Sequence, residues 1–283
     1  MSTRAIVPVT LSLTQGDFCT LWAPAWKENG TQWQAFLGDE TSVLVFDSPA
    51  HMLAFLDSGL PHDLVDHPQW AQFNAQGDDR VVPDDRNFYD VVGAPAYLAG
   101  RPSHENVSKL AKVFQISRSL ADVASANEAQ IFFASHSVLG NVARGSEHYA
   151  GENGLEEWSG VGRAVLANWA EVVHSLDASV RIVDEASFSE GEVAAAEERI
   201  AAAQSARAAQ AEKAKEEAQR RAANADPYDG SAWFNAGIDP VKITMQGTSV
   251  YTLRTYLGTA PVFLGKYGEI FTFPSSRQLL RWI

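Results

Sequence analysis

The segment from residue 62 to residue 67 places two histidines and two aspartates within six positions. The four side chains are His62, Asp63, Asp66 and His67. Imidazole and carboxylate groups are ligands of zinc and related metals, and they also serve as general acids and bases. A metal site needs convergent ligands, however, and no second ligand pair with metal spacing occurs in the sequence. A metal-dependent enzyme built on this cluster is therefore the alternative hypothesis, and the sequence favours a protein without a metal or cofactor.

Local motifs of the common enzyme classes are absent from the sequence, including the phosphate-binding loop, the dinucleotide-binding glycine motif and the nucleophile elbow. The single cysteine, Cys19, lies in an apolar, strand-like run, where a small buried side chain is expected rather than a nucleophile. One cysteine also excludes an internal disulfide. We therefore predict that the protein is not an enzyme.

The chain of 283 residues has 22 Lys and Arg against 35 Asp and Glu, a formal charge of −13. This negative field repels nucleic acids and anionic lipids, because both are bound through their phosphates. The charge argues against a third hypothesis, a replication-associated interaction protein of the primosomal type that binds DNA. No apolar run is long enough to span a bilayer and no signal sequence is recognisable, so we expect a cytoplasmic protein without membrane insertion.

Large aromatic side chains are concentrated near the N-terminus. Together with one tyrosine near the C-terminus, they are the candidates for contact with an apolar partner: Phe18, Trp22, Trp26, Trp33 and Tyr256. In a strand, Cys19 and Leu21 would face one side and Phe18 and Trp22 the other. Core packing is the commoner fate of such residues, whereas an exposed aromatic patch would bind apolar segments.

Four segments position these residues, and together they predict an α+β fold. Residues 1–100 form an N-terminal unit of strands and a helix that begins at Ser48-Pro49. Residues 101–187 carry apolar stripes at helical spacing. Residues 188–228 are rich in Ala, Glu, Lys and Arg and predict a solvated helical spacer, with partial disorder as the alternative. Residues 229–283 return to strand patterns that end in a short helix.

The first and last segments resemble each other. The Phe-Leu-Gly sequence at 36–38 aligns with that at 263–265, and the alignment continues without a gap until Ser48 falls on Ser275. Upstream, Pro8-Val9 matches Pro240-Val241 once a five-residue insertion is allowed in the first copy. A repeated segment of this kind indicates a duplicated supersecondary unit. We predict two βββα units with antiparallel sheets, which flank the helical region and the spacer.

Several segments, in the same order along nearly the whole chain, resemble the actinobacterial SatS protein-export chaperones. They include LSLTQGDFCTLWAPAW, WQAFLGDE, LVDHPQW, FYDVVG, AWFNAGIDPVKITM, YTLRTYL and VFLGKYG. The resemblance implies a cytosolic chaperone that holds certain exported proteins in unfolded form and delivers them to the accessory Sec export machinery. It implies hydrophobic grooves rather than nucleotide chemistry, and it transfers no individual site residue.

Overall fold

The computed structural model describes residues 5–28, 30–39, 41–224 and 232–283. It confirms a mixed α+β architecture with several antiparallel sheets. The chain divides into two compact units, Met1–Arg207 and Ala208–Ile283, called unit 1 and unit 2 below. The longest helix continues across the boundary between them.

Unit 1 begins with four strands and a helix, so the predicted unit of three strands and a helix is not confirmed in that form. In chain order its elements are β1 (Val7–Leu13), β2 (Gly16–Glu28), β3 (Thr31–Phe36), β4 (Val43–Val45), α1 (Pro49–Asp57), α2 (Trp70–Asn74), β5 (Phe88–Asp90), α3 (His104–Val123), α4 (Asn127–Ser135), α5 (Gly151–Ser179), β6 (Val180–Ile182) and the part of α6 (Glu190–Asn224) that precedes the unit boundary. The main sheet has the order β3–β2–β1–β5, and β5 alone is parallel to its neighbour. Strand β4 pairs in parallel with β6.

The main sheet of unit 1 separates two apolar cores because successive side chains of a strand point to opposite faces. Phe18 and Trp22 lie in the core on one side, and Cys19 and Leu21 lie in the core on the other, as the alternation predicts. A bulge between Ala23 and Trp26 shifts the register. Trp26 therefore lies on the same side as Leu21.

The helices α3, α4 and α5 share their core with the sheet, so residues 101–187 are not separate from the N-terminal strands. Two indole groups fix this packing. Trp169 Nε1 donates a hydrogen bond of 2.8 Å to the Val91 carbonyl, and Trp158 Nε1 donates one of 2.9 Å to the Gly100 carbonyl. Burying an indole N–H without a partner costs free energy, so these two bonds favour this arrangement of the helices on the sheet.

Within the described residues, the predicted spacer at 188–228 is the continuous 35-residue helix α6, and residues 225–228 lie outside the described part of the chain. The first part of α6 is not solvated on all sides. Ala196 and Ile200 are buried against the core beneath α1. The Arg199 guanidinium, between them in sequence, donates to Asp57 at 2.6 Å and to Asp78 at 3.0 Å. Apolar residues four positions apart lie on one helix face, which is sufficient to dock the first turns.

Unit 2 contains a three-stranded antiparallel sheet, a small hairpin and a terminal helix. Its described elements beyond α6 are α7 (Ala232–Asn235), β7 (Asp239–Met245), β8 (Thr248–Leu257), β9 (Ala260–Phe263), β10 (Gly265–Lys266), β11 (Glu269–Ile270) and α8 (Ser276–Trp282). The sheet order is β7–β8–β9. The Ser275 hydroxyl caps α8 by accepting from the Gln278 amide, as Ser48 caps α1 through His51.

Corresponding backbone bonds occur in both units. In unit 1, Cys19 and Phe46 exchange two hydrogen bonds of 2.7 and 2.9 Å. In unit 2, Tyr251 and Phe273 exchange two of 2.8 Å. The strand that precedes each helix is thereby held against the second strand of its unit.

Candidate functional site

Three of the five predicted partner-binding residues lie in closed cores. Phe18 and Trp22 are buried on one side of the main sheet, and Trp26 is buried on the other. The Trp22 ring stacks on Phe36 with centroids 6.1 Å apart. The reason is that both faces of this sheet are covered by helices or loops, so in this fold these three rings offer no surface to another polypeptide.

The other two predicted residues are exposed. Trp33 is 53% exposed on β3, where it lies opposite Trp26 beyond the bulge. Tyr256 is 50% exposed on β8. Trp33 belongs to unit 1 and Tyr256 to unit 2.

The histidine and aspartate cluster is part of an aromatic packing arrangement. The His62 ring lies edge-on to Trp70 at 4.6 Å, and the His67 ring lies edge-on to Trp26 at 4.5 Å. Burial lowers the pKa of His62, which favours the neutral ring that packs here. Within the described part of the chain, no three His, Cys, Asp or Glu side chains converge as metal ligands. The metal-site interpretation of residues 62–67 is therefore not supported by the geometry.

A second set of titratable side chains, His148, Tyr149 and Glu157, lies among the helices of unit 1 and also takes part in packing. His148 Nε2 lies 3.0 Å from a Glu157 carboxylate oxygen, and this hydrogen bond lowers the pKa of Glu157. The neighbouring Tyr149 is buried, which raises the pKa of its hydroxyl to about 12. A neutral tyrosine buried in the core beside this hydrogen-bonded pair contributes to packing.

The most distinctive surface is one face of the unit 2 sheet. Residues that lie opposite each other on paired strands point to the same face of the sheet, so the register shows which apolar residues share this face. We call this set the open sheet face: Val241, Ile243, Met245, Val250, Tyr256 and Phe263. Met245 is 71% exposed, and the other members are half-exposed or partly exposed. At its rim, Arg254 bonds Asp239 at 2.7 Å and stacks over the Tyr256 ring.

The corresponding face in unit 1 is fully covered. The β7–β8 pairs repeat the β1–β2 register: Leu11 lies opposite Phe18 as Ile243 lies opposite Val250, and Leu13 corresponds to Met245. Leu13 is only 5% exposed because the core that includes α3 and α5 packs on this face. The same apolar pattern is thus sealed in unit 1 and partly accessible in unit 2, where Thr252, on the same face opposite Val241, stays buried.

Sequence reasoning identified one member of the open sheet face, Tyr256, and missed the rest. The alternation of Val241, Ile243 and Met245 was visible as a strand signal. Alternation shows that one face is apolar, but it does not show whether that face is covered. An accessible apolar surface of this kind binds apolar side chains of other molecules.

In the part of the chain that the structure describes, no helix combines the length and apolar character needed to cross a membrane.

Comparison with known proteins gives one family. The model of the SatS C-terminal domain family matches residues 6–177 and 238–283. No curated protein matches the chain in sequence. A crystal structure of the SatS C-terminal domain in complex with bromine is 18% identical, with a TM-score of 0.44 over 63% of this chain and 94% of that one. On the family match, this chain belongs to the SatS C-terminal domain family.

Proposed function

We propose that the protein is a non-enzymatic, cytoplasmic chaperone or adaptor that binds apolar segments of proteins destined for Sec-dependent export. The observation that carries this proposal is the open sheet face, whose counterpart in unit 1 is covered by helices of the same chain. Unfolded preproteins are the proposed clients, and the accessory Sec export machinery is the proposed recipient. Family membership supports a role of this kind.

The physical basis is burial of apolar surface. An unfolded client exposes apolar side chains that would otherwise aggregate, and each one buried against the open sheet face contributes about 25 cal/mol per Å². The net charge of −13 keeps such a protein soluble while its apolar face is accessible. Neither step requires a nucleotide or a metal.

Within this proposal, the two sheet-and-helix units are copies of one ancestral unit. The supporting observations are the repeated β1–β2 register in β7–β8, the matching bonds at Cys19–Phe46 and Tyr251–Phe273, and the serine caps. Duplication would explain why unit 2 carries an apolar face of the kind that the helical layer covers in unit 1. One copy would keep the structural role and the other would bind clients.

The test is an aggregation assay with a chemically denatured preprotein, diluted into buffer without nucleotide. We expect the wild-type protein to delay light scattering, and Ile243→Ser combined with Met245→Ser to lose most of that effect. The matched control is Leu257→Ser. Leu257 is also strongly exposed on the unit 2 sheet, but its register places it on the opposite face.

Two results would contradict the proposal. The first is a wild-type protein that neither delays aggregation nor co-purifies with preproteins. The second is an equal loss in the Leu257→Ser control, since that would indicate a general effect of surface hydrophobicity. Circular dichroism of each variant confirms that its fold is retained.

A further inference from the structure

The short strand before α1 in unit 1 and the corresponding segment before α8 in unit 2 each have two edges, and these edges are occupied differently in the two units. In unit 1, the inner edge of β4 bonds to the same unit through Leu44 N to Leu37 O at 2.8 Å. Its outer edge is occupied by β6, which runs parallel to it and places Val180 opposite Val43. A further bond of 2.9 Å joins Val183 N to the Val45 carbonyl.

In unit 2, the inner edge is made in the same way, by Phe271 N to Leu264 O at 2.8 Å. Backbone groups alternate in direction along a strand, so those of Ile270 and Thr272 point outward. Among the described residues, no strand pairs with this outer edge. Ile270 is 48% exposed, whereas its counterpart Val43 is 2% exposed. We call the outward backbone of residues 270–272 the open edge.

Unit 1 shows what fits such an edge. Strand β6 supplies alternating apolar residues, and Val180 and Ile182 line a cleft with Leu13 and Phe18. In the unit 2 register, the positions that correspond to Leu13 and Phe18 are Met245 and Val250, which are exposed and partly exposed members of the open sheet face. An occupant of the open edge would therefore also cover part of that face.

The charge beside the edge is reversed between the units. In β6, Arg181 lies between the two apolar residues and forms an ion pair with Asp39. Asp39 follows Leu37-Gly38, and the residue that follows Leu264-Gly265 is Lys266. Lys266 lies over the Tyr267 ring and opposite Glu269, and it forms no ion pair within the described residues. Residues 232–283 as a whole are basic, with five Lys and Arg against Asp239 and Glu269.

We infer that the open edge binds an extended segment of another polypeptide, in parallel orientation, with an acidic residue between two β-branched apolar residues. Backbone hydrogen bonds would provide the pairing, as in other cases of strand addition to a sheet edge. The acidic side chain would meet Lys266, and the apolar neighbours would rest beside Met245. This inference rests on the proposed correspondence between the units, and it adds sequence specificity to the proposed client binding.

The test uses labelled peptides and the full chain. The first peptide has the sequence of residues 178–184, Ala-Ser-Val-Arg-Ile-Val-Asp, and the second is its Arg181→Glu form. The edge of β4 is already filled by β6, so added peptide is expected at unit 2. Fluorescence anisotropy should show about threefold tighter binding of the Glu peptide, in line with a single exposed ion pair. Lys266→Asp should reverse that preference.

Peptide N-methylation tests the backbone pairing without altering the protein. A methyl group on the amide equivalent to Val183 removes the bond to the outer carbonyl and should weaken binding about tenfold. The matched control carries the methyl group on the amide equivalent to Ile182, which points away from the edge. It should bind like the parent peptide.

Three results would overturn the inference: no binding of either peptide, a preference that Lys266→Asp leaves unchanged, or equal effects of the two methyl groups. Self-association of the chain that competes with the peptide would assign the edge to a second copy and would also overturn it. The aggregation assay is independent of these results. Its success together with peptide failure would refute the edge site alone, whereas its failure would refute the proposed function.

Discussion

The accessibility of the open sheet face can be tested through the free energy of unfolding of two matched variants. Leu13 and Met245 occupy equivalent positions in the two registers, but they are 5% and 71% exposed. Truncating a buried Leu to Ala removes its transfer free energy and leaves a cavity, so Leu13→Ala should cost unit 1 about 2–3 kcal/mol. Met245→Ala removes a side chain that is already mostly in water. It should change the stability of unit 2 by less than about 0.5 kcal/mol.

The assay is urea unfolding followed by hydrogen exchange and mass spectrometry, because two units can unfold in separate steps. With a slope of about 2 kcal/mol per M urea, Leu13→Ala should lower the unit 1 midpoint by about 1–1.5 M. The unit 2 midpoint of Met245→Ala should stay within about 0.3 M of the wild type. A comparable shift in both variants would contradict this prediction, because it would mean that the face around Met245 is covered in solution.

Three further predictions concern charged and titratable groups. Arg199→Gln should release the first turns of α6 and raise hydrogen exchange in residues 190–207, whereas Arg220→Gln, farther along the same helix, should not; a protected segment in Arg199→Gln would contradict the docking role. The hydrogen bond that Arg199 donates to Asp78 lowers the pKa of this carboxyl group. The stabilisation from the bond is therefore present above about pH 4 and is lost as the pH falls through the lowered pKa. Burial lowers the pKa of His62, so the unfolded state binds the proton more readily; stability should be full above about pH 6.5 and should fall below it. Urea midpoints measured between pH 5 and pH 8 should show this slope, and His62→Gln should reduce it; an unchanged slope would show that His62 is not its source.

Much of the local structure followed from the sequence. Ser48 and Ser275 were readable as helix caps because a side-chain oxygen before a helix satisfies an otherwise unpaired amide. The alternation around Cys19 gave the two faces of β2 correctly, since strand geometry fixes which residues share a side. The length of α6 followed from composition, because Ala, Glu, Lys and Arg have high helix propensity wherever they are placed.

Other features depended on contacts between distant segments. The sequence could not show that residues 101–187 share a core with the first sheet, because that depends on which apolar face meets which. It ranked His62 and His67 as possible ligands, whereas tertiary packing placed their rings against Trp70 and Trp26. The bulge in β2 moved Trp26 to the face that simple alternation does not assign to it.

Residue patterns were enough to establish which residues alternate, where helices begin and that the chain carries a matching pattern near each end. That the apolar face is sealed beneath helices in unit 1 and partly accessible in unit 2 emerged from the packing of distant segments. Local patterns fix only the direction of a side chain relative to its own strand. Whether that side chain meets water or another element depends on packing between segments far apart in sequence, which no local pattern encodes.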